Sequence, residues 1–220
     1  EVLRSTYALN EKLHGYGIPE KLRSQFVGTC LLCLKNNLPF EGLSTQAIIG
    51  GMKAVLEGLL VHDLNKAEKL VALNSVLLNQ KIAELKEEHF ADILRFIRDK
   101  ILPYINERST MGQDLLNLFF TTFNKYVGKD DKNQAFTPDH IVHFMCKVVG
   151  VNRNSVVLDP CCGSGAFLVR AMTEALDDCS TKKEKDQVKD LHIFGIEKYK
   201  DVFGLASTNM LIHGDGKSNV

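Results

Sequence analysis

The sequence predicts an α plus α/β architecture, with an all-helical N-terminal domain followed by the start of an open α/β sheet. Three observations predict it. Residues 1 to about 128 carry apolar positions at helical spacing throughout. From Val156 to Leu168 a β-branched apolar run passes through Asp159 and a Gly163-Ser164-Gly165 turn into a helical pattern, which reads as strand, tight turn and helix. A second buried strand, Leu191-His192-Ile193-Phe194-Gly195-Ile196, then ends in another acid, Glu197. Open α/β sheets bind ligands beyond the carboxyl ends of their strands, and both acids fall at such ends.

A chain of 220 residues has room for one or two domains with a sizeable core. Its 45% hydrophobic and 25% charged content are ordinary for a soluble globular protein. Twenty-seven acids balance 27 bases, which excludes a free-standing basic nucleic-acid binder. Phosphate contacts would have to come from a local face, from further sequence or from a partner. The six cysteines form no paired C-x-x-C knuckles, and Cys30 and Cys33 read as small buried hydrophobes in a reducing cytosol. No apolar run approaches 18 residues and no signal peptide is visible, so the expectation is a cytoplasmic chain with no membrane contact. The chain opens on Glu1 rather than methionine and reads as an excised or processed segment.

In order, the first helix carries Ala8, Leu9 and Leu13 and stops at Gly15 and Gly17. Pro19 suits the first turn of the second, whose inner face is Leu22, Phe26, Cys30, Cys33 and Leu34, and which ends at Asn36-Asn37. Ser44 or Thr45 caps the third, with Ile48, Ile49, Met52, Val55, Leu56 and Leu59 inward. A segment from Leu64 to Leu78 follows, then one from Glu84 to Ile101 with Phe90, Ile93, Leu94, Ile97 and Ile101 on one stripe, stopped by Pro103. The last helix of this half, from Ser109 or Thr110 to Val127, has adjacent Phe119 and Phe120 and is expected to be buried on more than one side. No catalytic constellation is visible here, and a helix bundle is the plain reading.

The polar run Gly128 to Asn133 marks the expected domain boundary, giving a helical domain over 1–130 and an α/β portion over 131–220. Thr137 is expected to cap a helix with Pro138 in its first position, and Ile141, Val142, Phe144, Met145 and Val148 form its apolar run. His140 and His143 share that helix without a third metal ligand at sensible spacing, so they read as exposed histidines. After the central turn a helix runs to about Asp177. The charged segment Asp178 to Asp190 reads as a solvated connection with one helical turn or two.

The central turn is not a phosphate cradle. The third glycine of a dinucleotide fingerprint is replaced by Leu168, and no lysine follows the turn before Lys182. Asp159 would repel a phosphate at close range and attract a cation. S-adenosylmethionine, with a sulfonium, an ammonium and no phosphate, suits it better. Asp159-Pro160-Cys161-Cys162-Gly163-Ser164-Gly165-Ala166-Phe167 resembles the D-P-x-C-G-S-G-x-F cofactor loop of the N-6 adenine DNA methyltransferases. More narrowly, it is similar to that of the modification subunits of type I restriction-modification systems. Asn133-Gln134-Ala135-Phe136-Thr137-Pro138 resembles the family's G-Q-x-[YF]-T-P segment, with Asn133 where glycine is usual. Gly195-Ile196-Glu197 matches its G-I-E, and Ile212-His213-Gly214-Asp215-Gly216, after a helix through Asn209, Met210 and Leu211, resembles its N-M-x-x-H-G turn.

The resemblance implies a Rossmann-like methyltransferase domain, S-adenosylmethionine as cofactor, and double-stranded DNA with specificity and restriction subunits or fused domains as partners. The cofactor residues it implies are Phe136, Thr137, Pro138, Asp159, Pro160, Cys162, Gly163, Ser164, Gly165, Phe167, Glu197, Lys198 and Asp215. Glu197 would bind the ribose hydroxyls, since a carboxylate accepts two hydrogen bonds from a vicinal diol. Lys198 and Tyr199 would border the adenine, and Asp215 would accept from its amino group. The family's catalytic [DNS]-P-P-[YF] loop is missing, because all five prolines are isolated. The expectation is therefore an active longer protein and an inactive fragment, which would self-associate through a truncated sheet edge. Two other readings stay open: a methyltransferase of RNA or protein on the same fold, and a non-catalytic helical interaction module with a cofactor-fold remnant.

Overall fold

A computed structural model of the chain describes residues 2–63, 65–105, 137–215 and 219–220. Its N-terminal part is helical: α1 (Val2–Gly15), α2 (Glu20–Lys35), α3 (Thr45–Leu59), α4 (Lys66–Leu77), α5 (Gln80–Ala83), α6 (Glu87–Lys100) and α7 (Leu102–Ile105). Their apolar stripes meet in one core around Leu9, Leu13, Phe26, Cys30, Ile48, Met52, Leu73, Phe90 and Ile97. Phe26 and Phe90 meet at its centre with rings 5.5 Å apart and tilted, as their quadrupoles prefer. Every residue of α2 from Arg23 to Leu34 is buried. That burial holds a charge because the Arg23 guanidinium donates to the Ile18 carbonyl at 3.0 Å and to Asn10 Oδ1 at 2.7 Å. The expected cap of α3 forms, with Ser44 Oγ accepting from the Ala47 N–H at 3.3 Å.

Two prolines sit differently from expectation. Pro19 is the N-cap of α2 with an extended ψ of 139°, one position ahead of the helix it was expected to begin. α6 ends at Lys100 with Ile101 as its C-cap, at the stop expected ahead of Pro103, but Pro103 itself lies in the first turn of a further short helix, α7. A first-turn position has no intrahelical use for the missing N–H. The expected helix over 109–127 and the expected boundary near residue 130 lie outside the described residues.

The C-terminal part contains α8 (Asp139–Val148), β1 (Val157–Asp159), α9 (Ala166–Asp177), α10 (Lys182–Leu191), β2 (Ile193–Gly195) and α11 (Lys200–Ile212). β1 and β2 are parallel, with Val157 opposite Ile193 and Asp159 opposite Gly195. On the other edge of β2, Asn219 bridges in parallel to Phe194, and its carbonyl accepts from the Gly195 N–H at 3.0 Å. A second core gathers Leu168, Val169, Met172, Ala175, Val188, Ile193, Ala206, Met210 and Val220. α11 serves both cores, since Leu211 and Ile212 belong to the first while Ala206 and Met210 belong to the second.

Segment 178–190 is more ordered than its charge suggests. Instead of one turn or two it forms α10, ten residues long, started by a capping box. Thr181 Oγ1 accepts from the Glu184 N–H at 3.2 Å, and Glu184 Oε2 accepts from the Thr181 N–H at 2.8 Å. Only Val188 is buried, so the apolar signal of this helix in the sequence is weak. Among the described residues, no helix is long and apolar enough to cross a membrane.

Candidate functional site

The site is built where β1 and β2 end side by side. Asp159 closes β1, and its Oδ1 accepts from the Cys161 N–H at 3.1 Å, so the carboxylate folds the loop back over the strand end. Among the described residues no hydrogen bond reaches Asp159 Oδ2, which leaves an acceptor at the rim. Gly163 and Gly165 both adopt left-handed backbone, with φ of +57° and +82°. A β-carbon is strained there whatever the space. A side chain at Gly163 would also project into open space, with nothing within 4 Å. The turn is closed from within by the Gly165 N–H donating to the Cys162 carbonyl at 2.8 Å.

Glu197, two residues past β2, ties the two strand ends together. Its Oε2 accepts from the Gly163 N–H at 3.1 Å and its Oε1 from the Tyr199 N–H at 2.8 Å. The pleat brings this about, because the Ile196 N–H donates to the Asp159 carbonyl at 2.9 Å and the Cys162 N–H to the Ile196 carbonyl at 3.0 Å. The result is a negative rim. Burial pushes the Cys162 thiol up to about 12, with the Asp159 and Glu197 carboxylates adding to the effect. Lys198 is exposed beside this rim, with its ammonium 5.8 Å from the centre of the Tyr199 ring.

The direct bonds thus gather Asp159, Cys162, Gly163, Gly165 and Glu197 into one unit. Pro160 is exposed at its edge, Ser164 is buried beneath it, and Phe167 is half-buried against the second core. Thr137, Pro138 and Asp215 sit on flanking elements, and Phe136 lies outside the described residues. Pro138 is the N-cap of α8 rather than its first residue, with ψ 139° and no side-chain cap. Thr137 therefore stands two residues before the first helical residue, ahead of the N-cap position expected for it. Asp139 anchors that helix start to α9 through Arg170, whose NH2 donates at 3.2 Å. Asp215 is fully buried, and its N–H returns to the Met210 carbonyl at 3.0 Å, holding it on the last turn of α11.

Only Val142 and Cys146 of α8 face inward; Ile141, Phe144, Met145 and Val148 of the expected apolar run are exposed. Val142 and Cys146 seat the helix, and on its exposed side His143 and Lys147 both reach Glu174. His140 is exposed as expected, and so is His143. Cys30 and Cys33 are fully buried, as small hydrophobes would be.

Two residues that support the site were not singled out for this role in the sequence. Asn209 Nδ2 donates to the Ser164 carbonyl at 3.0 Å, pinning the turn to α11. Its signal was the asparagine opening N-M-x-x-H-G. Gly195 leaves no room for a β-carbon, which would lie 2.5 Å from Leu168 Cδ1 and 3.2 Å from Cys162 Sγ. The glycine of G-I-E is thus a packing requirement between β2 and the turn.

Comparison with known proteins identifies the family of the chain. The family described as N-6 DNA methylase matches residues 108–220. The chain is 39% identical, over its full length, to the type II restriction enzyme and methyltransferase RM.BcgI of Heyndrickxia coagulans, of which it covers 37%. It is 26% identical over 58% of its length to the type I restriction enzyme EcoEI methylase subunit of Escherichia coli, covering 28% of that protein. The chain therefore spans about a third of the length of these relatives. A solved modification subunit of a putative type I restriction enzyme from Vibrio vulnificus YJ016 shares the fold at a TM-score of 0.58 and 22% identity, over 76% of this chain and 34% of that one. A family match over more than half of its residues, on the segment that contains the turn and both strand-end acids, makes this chain a member of the N-6 DNA methylase family.

Proposed function

We propose that this chain is the N-terminal part of a site-specific DNA adenine N-6 methyltransferase of a restriction-modification system, and that its strand-end site binds S-adenosylmethionine. The observation that carries the reading is the Gly163–Glu197 bond, which joins a glycine turn with open space above it to a pair of rim carboxylates. That donor set fits the cofactor. Asp159, with Oδ2 at the rim, receives its cationic methionine end, and phosphate-bearing ligands are repelled. Glu197 keeps lone pairs for the ribose hydroxyls, since each carboxylate oxygen accepts two hydrogen bonds and one is taken by backbone. Lys198 and Tyr199 border the adenine, with Asp215 as acceptor for its amino group. Phe136, Thr137 and Pro138 cover the methionine end, and Phe167 seats the loop against the core.

S-adenosylmethionine supplies an activated methyl group on sulfur. This chain's own residues bind and orient it. The aromatic and polar groups that hold a flipped-out adenine come from a Pro-Pro loop that these 220 residues do not contain. We read the helical domain as residues 1–130 and the Rossmann-like methyltransferase portion as 131–220, within a cytoplasmic protein whose partners are double-stranded DNA and specificity and restriction subunits or fused domains. The isolated chain would self-associate through its truncated sheet, where Leu158 of β1 is exposed.

The test is transfer of labelled methyl groups from S-adenosylmethionine to duplex DNA, followed by nucleoside analysis. The longer protein should yield N6-methyladenine and this chain alone none. Label appearing in RNA or protein instead would transfer the reading to a different methyltransferase class. A longer protein that neither binds S-adenosylmethionine nor transfers methyl would support a helical interaction module.

A further inference from the structure

The glycine turn rests on α11, and α11 is gripped from behind by α2. Gly165 sits over Ala206, where an added β-carbon would lie 3.6 Å from the Ala206 Cα. Asn209 then bonds the Ser164 carbonyl at 3.0 Å. One residue earlier, Thr208 Oγ1 accepts from Gln25 Nε2 at 3.1 Å and donates its proton to the Gly204 carbonyl at 2.8 Å. The hydroxyl is therefore fixed as donor to its own helix and acceptor from α2. Gly204 permits the close approach, with the Gln25 side chain and the Ala72 carbonyl both 3.5 Å from where its β-carbon would be. At the far end of α11, Lys35 donates to the Ile212 carbonyl at 2.6 Å. Gln25, Thr208 and Asn209 are all buried, so these bonds form in a weakly screened interior where an unmade hydrogen bond is costly.

Residues 208 and 209 lie about 100° apart around a helix. α11 thus presents Thr208 to α2 and Asn209 to the turn from adjoining faces of one rigid rod. A shift of the rod against α2 moves the Ser164 carbonyl, which lies between two left-handed glycines.

We propose that Gln25 is a positioning residue for the glycine turn: through Thr208 it sets α11, and Asn209 passes that placement to Ser164, so that the N-terminal helices tune cofactor affinity. The affinity part rests on the S-adenosylmethionine reading above; the placement of the turn does not.

The test measures two quantities on this chain. The first is amide hydrogen exchange at Gly163 and Gly165, whose N–H groups are bonded to Glu197 and Cys162. The second is S-adenosylmethionine affinity by calorimetry. Gln25→Met keeps the volume and removes the donor; Thr208→Val removes the hydroxyl, while Thr208→Ser keeps it. Gln25→Met and Thr208→Val should each speed exchange at both glycines and weaken cofactor binding by about three- to tenfold, the worth of one neutral hydrogen bond. The double variant should be no worse than either, Thr208→Ser should behave as the parent, and α6 amides should not change. Parent-like exchange in both single variants, with acceleration in Asn209→Ala, would overturn the proposal by showing that Asn209 holds the turn without α2. Accelerated exchange in a chain that binds no S-adenosylmethionine would uphold the placement and reject the cofactor reading instead.

Discussion

The two cores of this molecule are specified in different ways. The first is a bundle interior, filled by large side chains on helical stripes, with α6 burying Phe90, Ile93, Leu94 and Ile97 completely. The second is smaller, and what fixes its shape is backbone conformation: two left-handed glycines, a glycine with no room for a β-carbon, and carboxylates bonded to main-chain N–H groups. Its outer side leaves Phe144, Val148 and Leu158 exposed. The region with open space above its turn thus relies on torsions, hydrogen bonds and one close glycine contact, where the bundle relies on large apolar side chains.

The sharpest way to break that contrast is a matched pair of truncations. Phe90→Ala should cost about 3–5 kcal/mol, as for a fully buried aromatic, while Phe144→Ala on the exposed face of α8 should stay within about 0.5 kcal/mol. Urea unfolding of both variants measures it, and equal losses would erase the distinction.

The junction between the cores gives a pH test. His213, at the end of α11, is lowered to about 4 by burial, with Lys35 and Arg170 adding repulsion. The native state therefore keeps this imidazole neutral, while the unfolded chain takes up a proton below its ordinary value of 6.5. Stability supplied by His213 is full above 6.5 and is lost as the pH falls towards 4, by about 2–3 kcal/mol. Unfolding midpoints across that window should fall in the parent and fall less in His213→Leu. An identical pH slope in the two would contradict it.

Within the second core, Gly195→Ala forces a β-carbon against Leu168 and Cys162 and should cost about 1–3 kcal/mol. Gly163→Ala meets no neighbour and bears only the strain of its positive φ, which should be about 1–2 kcal/mol. Thermal midpoints should therefore place Gly195→Ala at or below Gly163→Ala, and a Gly195→Ala chain as stable as the parent would mean that β2 and the turn are not closely packed.

Much of this was legible in the sequence, for identifiable reasons. Helices α1 to α4 and α6 announce themselves because their apolar stripes are long, whereas the four-residue α5 falls between two expected segments and carries no such stripe. The strand-turn-helix around Asp159 is legible because glycines and acids there have few alternative uses. α10 was harder to read, since a helix with one buried side chain hardly differs in composition from a solvated linker, although Thr181 and Glu184 spelled its capping box. The exposed side of α8 was misleading for the opposite reason: apolar spacing records that a face seeks a cover, not what supplies it. The roles of Asn209 and Gln25 could not be read from spacing, because each depends on a partner far away in the chain, Ser164 and Thr208.

We propose that the rim formed by Asp159, Gly163 and Glu197 holds a cationic adenosyl cofactor. Calorimetric titration of S-adenosylmethionine into this chain and its Asp159→Ala variant tests it most directly. The parent should show saturable one-to-one binding, and removing the carboxylate should weaken it at least about tenfold, as for a charged hydrogen-bonding partner removed. No binding by the parent chain, or undiminished binding by Asp159→Ala, would contradict it.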